Sequence, residues 1–131
     1  MPVLVMVEDL IFLSKIQQTA KLVNAGIEVV LPTNLIERLS QNPPSAVICD
    51  LNYRAGLAIE AIRELKCNPD LRGIPVIGFL SHVQSDLITS AREAGCDMVL
   101  ARSAFSQQLP QILRNYSPQN AAPASSGGDA K

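Results

Sequence analysis

The 131-residue chain has no basic excess: 11 Lys and Arg stand against 12 Asp and Glu, a formal net charge of −1. No cationic surface is on offer to a phosphate backbone, so nucleic acid is not an expected partner. It also lacks any apolar run near the roughly 18 residues that span a membrane. Met1 to Leu10 carry Glu8 and Asp9 and no leading positive charge, which is not a signal-peptide pattern. The expected location is the cytoplasm, with no membrane partner. Cysteine is scarce: Cys49, Cys67 and Cys96 lie far apart with no CxxC pair. That argues against a disulfide framework and a zinc site, and reads as three small, mostly buried thiols. No Ser-, Thr- or Gly-rich phosphate loop follows the first apolar run, which excludes a flavin-carrying electron-transfer protein. There is no DxD nucleophile motif and no length for a cap domain, which excludes a haloacid-dehalogenase-type phosphatase. The length also excludes a two-domain enzyme.

What is present is a globular composition, 47% hydrophobic and 18% charged, with enough chain to bury a core unaided. Pro2 to Val7 (PVLVMV) is a continuous apolar run that stops at Glu8-Asp9. Such a run suits a central strand covered on both faces. Leu13, Ile16, Ala20 and Val23 recur at helical spacing between Leu10 and Ala25, and Gly26 supplies a stop. Ile27 to Leu31 is a second strand, Leu35 to Ser40 a short helix, and Ser45 to Asp50 a third strand that again ends on a carboxylate. Leu57 to Cys67 is an amphipathic helix closed by Asn68-Pro69. Ile74 to Leu80 is the fourth strand and Met98 to Ala101 the fifth. Helices run from Ser85 to Glu93 or Ala94 and from Ser103 to Asn115, the last with an expected kink or restart at Pro110. Residues 117–131, rich in Ala, Ser, Gly and Pro, read as a disordered tail behind a domain of residues 1–116.

Five repeats of strand then helix imply a parallel sheet with right-handed crossovers. Ligands of such sheets bind at the carboxyl ends of the strands, near the switch point. In the order 2-1-3-4-5 the ends of strands one and three are neighbours, so Glu8, Asp9 and Asp50 meet in one pit. Unpaired carboxylates there raise one another's pKa. A hard divalent cation such as Mg2+ relieves this through oxygen ligands, and Arg102, after strand five, brings a fixed positive charge. Simpler readings stand beside these. Asp50 also suits a turn carboxylate, and Glu8-Asp9 suit the start of a helix, where acids favour the dipole. Arg102 also suits a structural ion pair with Asp50. Ser81 fits either a helix-opening turn or a phosphate contact. His82, the one histidine, reads as a surface residue. Leu10, Ile11 and Phe12 either pack under the third-strand loop or form an interaction patch.

Five motifs in order carry a resemblance: VED at Val7 to Asp9, ICD at Ile48 to Asp50, GL at Gly56-Leu57, IPVI at Ile74 to Ile77, and AGCDMVLAR at Ala94 to Arg102. Together they resemble the CheY-like receiver domain of two-component response regulators, over residues 2 to 115. The resemblance implies a flavodoxin-like (β/α)5 doubly wound sheet in the order 2-1-3-4-5. It implies Mg2+ on Glu8, Asp9, Asp50 and the backbone carbonyl of Asn52. It implies that Asp50 accepts a phosphoryl group from a histidine kinase or phosphotransfer protein, with Arg102 and Ser81 beside it. The chain is then a phosphoacceptor with at most weak autophosphatase activity. It signals to a downstream protein by contact; a homodimer stays open, and the alternative is a phosphate-independent interaction module.

The chain departs from the family around the switch. Counting from Pro75, the position of the family's Thr or Ser is Leu80, with Ser81 one residue late. The aromatic switch position falls on Val99, and Arg102-Ser103 replaces Lys-Pro. A cis bond before Ser103 would cost about 3 kcal/mol, so trans is expected. The loop LNYRAG after the third strand is short and lacks the usual Pro.

Overall fold

The structure, a computed structural model, describes residues 2–81 and 84–116, the side chain of Ala55 excepted. His82 and the tail 117–131 lie outside the described residues. Alternation explains the sheet. Residues two apart on a strand face the same side, so runs apolar at every position bury both faces. Strand β1 (Val3–Met6) sends Val3 and Val5 to one core and Leu4 and Met6 to the other. Strands β3 (Ala46–Asp50) and β4 (Val76–Leu80) do the same with Ala46, Ile48, Ile77 and Phe79 against Val47, Cys49, Val76 and Leu80. With β2 (Ile27–Val29) and β5 (Met98–Ala101) at the edges, the sheet is wholly parallel in the order β2-β1-β3-β4-β5. The expected flavodoxin-like topology is therefore the observed one.

Helices α1 (Leu10–Leu22) and α5 (Arg102–Tyr116) cover the face of Val5 and Phe79 through Phe12, Ile16, Phe105 and Leu109. Helices α2 (Leu35–Gln41), α3 (Leu57–Cys67) and α4 (Ser85–Ala94) cover the other through Leu39, Ile62, Leu65 and Ala91. None is long and apolar enough to cross a membrane among the described residues.

Two local differences from the sequence expectation have physical reasons. Strand β4 starts at Val76 rather than Ile74, because Pro75 has no N–H and the Val76 N–H goes to the Asp97 carboxylate at 2.8 Å. Helix α5 passes Pro110 as a single helix. A mid-helix proline costs about 3 kcal/mol, but buried Phe105 and Leu109 before it and Ile112 and Leu113 after it hold both halves against the same sheet face. Of the three apolar residues that open α1, Phe12 is buried, while Leu10 and Ile11 are 76% and 84% exposed. No cis peptide bond occurs among the described residues, the Arg102–Ser103 bond included.

Candidate functional site

Every strand ends toward the same rim, and the polar residues sit just past those ends. Asp50 closes β3 in register with Phe79 of β4. It shares the parity of Ala46 and Ile48, so its side chain leaves the sheet on the α1/α5 side. It is the one buried charged residue among the described residues, 4% exposed. Its carboxylate accepts the Asn52 N–H at 3.0 Å and the Glu8 N–H at 3.4 Å. Burial pushes the Asp50 carboxyl above its ordinary range; the two N–H groups pull it back, the Glu8 charge adds to the rise, and Arg102 opposes it.

The other two acids face outward to partners of their own. Asp9 is the N-cap of α1: Oδ1 accepts the N–H groups of Ile11 and Phe12 at 3.0 and 3.2 Å, the arrangement that satisfies otherwise orphaned donors of a first turn. Its Oδ2 accepts from Arg102 Nη2 at 3.1 Å. The Phe12 N–H first, and Arg102 with the Ile11 N–H, overcome a desolvation cost and hold the Asp9 carboxyl below its ordinary range. Glu8 takes Arg54 twice, from the backbone N–H at 3.0 Å and from a close contact with Nε. The Arg54 guanidinium, then its N–H, lower the Glu8 carboxyl.

Arg102 opens α5 and pairs with Asp9; among the described residues no ion pair reaches Asp50. The guanidinium lies 4.1 Å from the centroid of the Phe12 ring, a cation–π seat that a planar guanidinium suits. Phe12, Phe79 and Phe105 form the floor beneath, with Phe79 and Phe105 stacked at 4.7 Å. Ser81 is half-buried, and its backbone N–H donates to Asn52 Oδ1 at 2.6 Å. That bond ties the loop after β3 to the end of β4. Leu80, by its parity, points into the α2/α3/α4 core and is 2% exposed.

The structure thus gathers Glu8, Asp9, Asp50, Asn52, Ser81 and Arg102 on one rim, but divides the acids among different partners. Three residues escape the sequence reading: Arg54 as partner of Glu8, the Phe12 ring as seat of Arg102, and the Asn52 side chain as a strut to Ser81. A cation in the loop directly after the third acid was the available signal for Arg54. The donor types suit a hard divalent cation, and a buried Asp50 with a raised pKa and no recorded ion pair is a charge that such an ion relieves. In the observed arrangement, however, Glu8 and Asp9 turn to arginines, and no cluster of three or more acidic, His or Cys side chains is poised on one ion among the described residues.

No family model matches the chain, and no curated protein does. Solved structures do. A putative response regulator from Chloroflexus aurantiacus superposes with a TM-score of 0.74 at 17% identity, covering 88% of this chain and 98% of that one. The phosphorylated cyanobacterial phytochrome response regulator RcpA gives 0.71 at 23% identity, covering 87% and 89%. The Mn2+-bound form of the response regulator Rcp1 gives 0.70 at 22% identity, covering 95% and 100%. With the strand order and the rim of polar residues, these likenesses establish that the chain has the fold of a response-regulator receiver domain.

Proposed function

We propose that the chain is a receiver-type response regulator that accepts a phosphoryl group on Asp50 from a histidine kinase or phosphotransfer protein and signals by protein contact. The observation that carries this reading is the placement of Asp50: the single buried charge described, at the carboxyl end of a central strand, with Glu8, Asp9 and Arg102 around it. In the transfer, an Asp50 carboxylate oxygen forms a bond to phosphorus as the bond from phosphorus to the donor histidine nitrogen breaks. The Asn52 and Glu8 N–H groups fix the carboxylate during approach. Positioning of this kind is most of what a phosphoryl transfer asks of a protein. Glu8, Asp9, Asp50 and the Asn52 carbonyl are the groups that would hold Mg2+, which supplies charge neutralisation between the carboxylate and the anionic phosphoryl group when bound. Asp50 is an acceptor rather than a turnover catalyst, with at most slow hydrolysis of its own acyl phosphate. The relatives in fold that are named as response regulators support this reading.

The test is incubation with acetyl phosphate, with Mg2+ and with EDTA, followed by intact-mass measurement. One added phosphoryl group, labile to hydroxylamine and lost in Asp50→Asn, is the expected result. No label at all, or a label that survives Asp50→Asn, overturns the reading; the first outcome favours a phosphate-independent interaction module.

A further inference from the structure

We propose that Arg54 is an internal counter-ion that competes with a divalent cation for Glu8, so that metal binding at the rim requires its release. The proposal rests on the divalent-cation part of the reading above and concerns a residue which that reading does not use. Every carboxylate oxygen at the rim already accepts at least one protein hydrogen bond. Both Glu8 oxygens go to Arg54, Asp9 Oδ1 to two helix N–H groups, Asp9 Oδ2 to Arg102, and the Asp50 oxygens to the N–H groups of Asn52 and Glu8. Of these donors only two are side-chain cations, and they differ. Arg102 is held from below by the Phe12 ring and lies 35% exposed at its side chain. The Arg54 side chain is 76% exposed, and its recorded side-chain partner is Glu8.

Chain connectivity explains why Arg54 reaches Glu8. Tyr53 N–H bonds back to the Asp50 carbonyl at 3.1 Å, a tight turn. It places residue 54 over the β1–α1 loop, where its own N–H meets Glu8 Oε1. The backbone bond anchors the loop whatever the side chain does. The guanidinium adds charge: with Arg102 it offsets two of the three rim carboxylates, so a dication meets a site with little net attraction. An exposed ion pair is weak enough to open, which makes Arg54 a competitor rather than a permanent lid.

The experiment uses the full chain and Mn2+ as the probe, following the paramagnetic resonance signal of free Mn2+ during titration. Arg54→Ala removes both the competing pair and the repulsion of the dication, and is expected to bind Mn2+ about tenfold tighter than wild type. Arg54→Lys keeps the charge without the fork, so its gain is smaller; it carries the test should Arg54→Ala lose its far-ultraviolet dichroism. The gap narrows as ionic strength rises, since exposed charges are screened, and it shrinks to the repulsion alone when Arg54→Ala is made in Glu8→Gln, where there is no pair left to break. Equal affinities in wild type and the Arg54 variants overturn the proposal, as does absence of Mn2+ binding in both. The acetyl phosphate experiment stands apart. Tighter Mn2+ binding in Arg54→Ala without labelling of Asp50 defeats the phosphoacceptor reading alone. Labelling with unchanged Mn2+ affinity defeats the role of Arg54 alone.

Discussion

Asp50 is where the fold works against its own stability. Its carboxyl is raised above the ordinary value chiefly by burial, so the folded state holds the proton more tightly than the unfolded chain does. The sign follows. Below the unfolded pKa of about 4 both states are neutral at this site and no cost exists. Between the unfolded and folded values the cost grows, and above the folded value it is fully present. Asp50→Asn, an amide of the same shape, is therefore expected to raise the melting temperature at pH 7 and to lose most of that advantage near pH 4. A variant no more stable than wild type at pH 7 would refute the burial argument. Glu8 runs the other way: its pKa is lowered by Arg54, so its pair contributes above the unfolded value and fades as pH falls through the folded one. The acids themselves were legible in VED and ICD, because a carboxylate that ends an apolar run has little alternative but a strand end. Their partners were not. Arg54 and Glu8 are 46 residues apart, and nothing local announces the pairing; Phe12 looks like any other core aromatic until Arg102 is seen above it.

At the level of elements, two contacts carry the architecture beyond the binary pattern. Gly78 sits in mid-β4, and a Cβ built there would lie 2.8–2.9 Å from the side-chain atoms of Leu51. Leu51, 1% exposed, crosses the strand at that point, so the glycine is required by close approach and not by backbone angle. Gly78→Ala is expected to cost about 1–3 kcal/mol in urea unfolding, the range of an overpacked core. In a Leu51→Ala background the same substitution is expected to cost little, because the two sites share one space; additive costs would show that the clash is not the cause. Lys66 is the second contact. From the end of α3 its Nζ donates to the carbonyls of Arg72 and Ile74 and to Asp97 at 2.8–2.9 Å. Asp97 in turn accepts the Val76 N–H. One ammonium thus closes the α3–β4 connection onto the turn before β5. Lys66→Met keeps the aliphatic stem and strands those acceptors, with an expected loss of about 1–3 kcal/mol, read from the same unfolding curves. Strand and helix limits for α3, α4 and β5 followed from periodicity and from the stops at Asn68 and Gly95. The contacts of Leu51 and Lys66 did not, since they join segments whose approach is a property of the closed sheet.

Across the whole molecule, the question is how a change at Asp50 reaches α4 and β5. In receiver domains, as the resemblance implies, a hydroxyl after strand four follows the phosphate and an aromatic ring on strand five follows the hydroxyl. Here the first position is Leu80, turned into the α2/α3/α4 core, and the second is Val99, a small side chain packed against that same cluster. Neither side chain has the means to follow a phosphate: that of leucine makes no hydrogen bond, and valine has no ring to swing. One side-chain connection is the bond from the Ser81 N–H to Asn52 Oδ1, which joins the loop after Asp50 to the end of β4, beside the backbone bond from the Leu51 N–H to the Phe79 carbonyl. A ligand shifts a two-state equilibrium only by the difference between its contacts in the two states. With Arg102 seated on Phe12 and paired to Asp9, and with no hydroxyl at position 80 or ring at position 99 to follow a phosphate, that difference is small. The expected coupling is about 1 kcal/mol, about fivefold in partner affinity, at the low end of the usual range. Beryllofluoride with Mg2+ is accordingly expected to move amide resonances around Asp50, Asn52 and Ser81 while leaving Ser85–Ala94 and Met98–Ala101 nearly in place. Asn52→Ala, which cuts the strut, is expected to remove the shift at Ser81 and keep those at Asp50. A concerted change through α4 and β5 that survives Asn52→Ala would show a second route across the sheet and defeat this account of a weakly coupled switch.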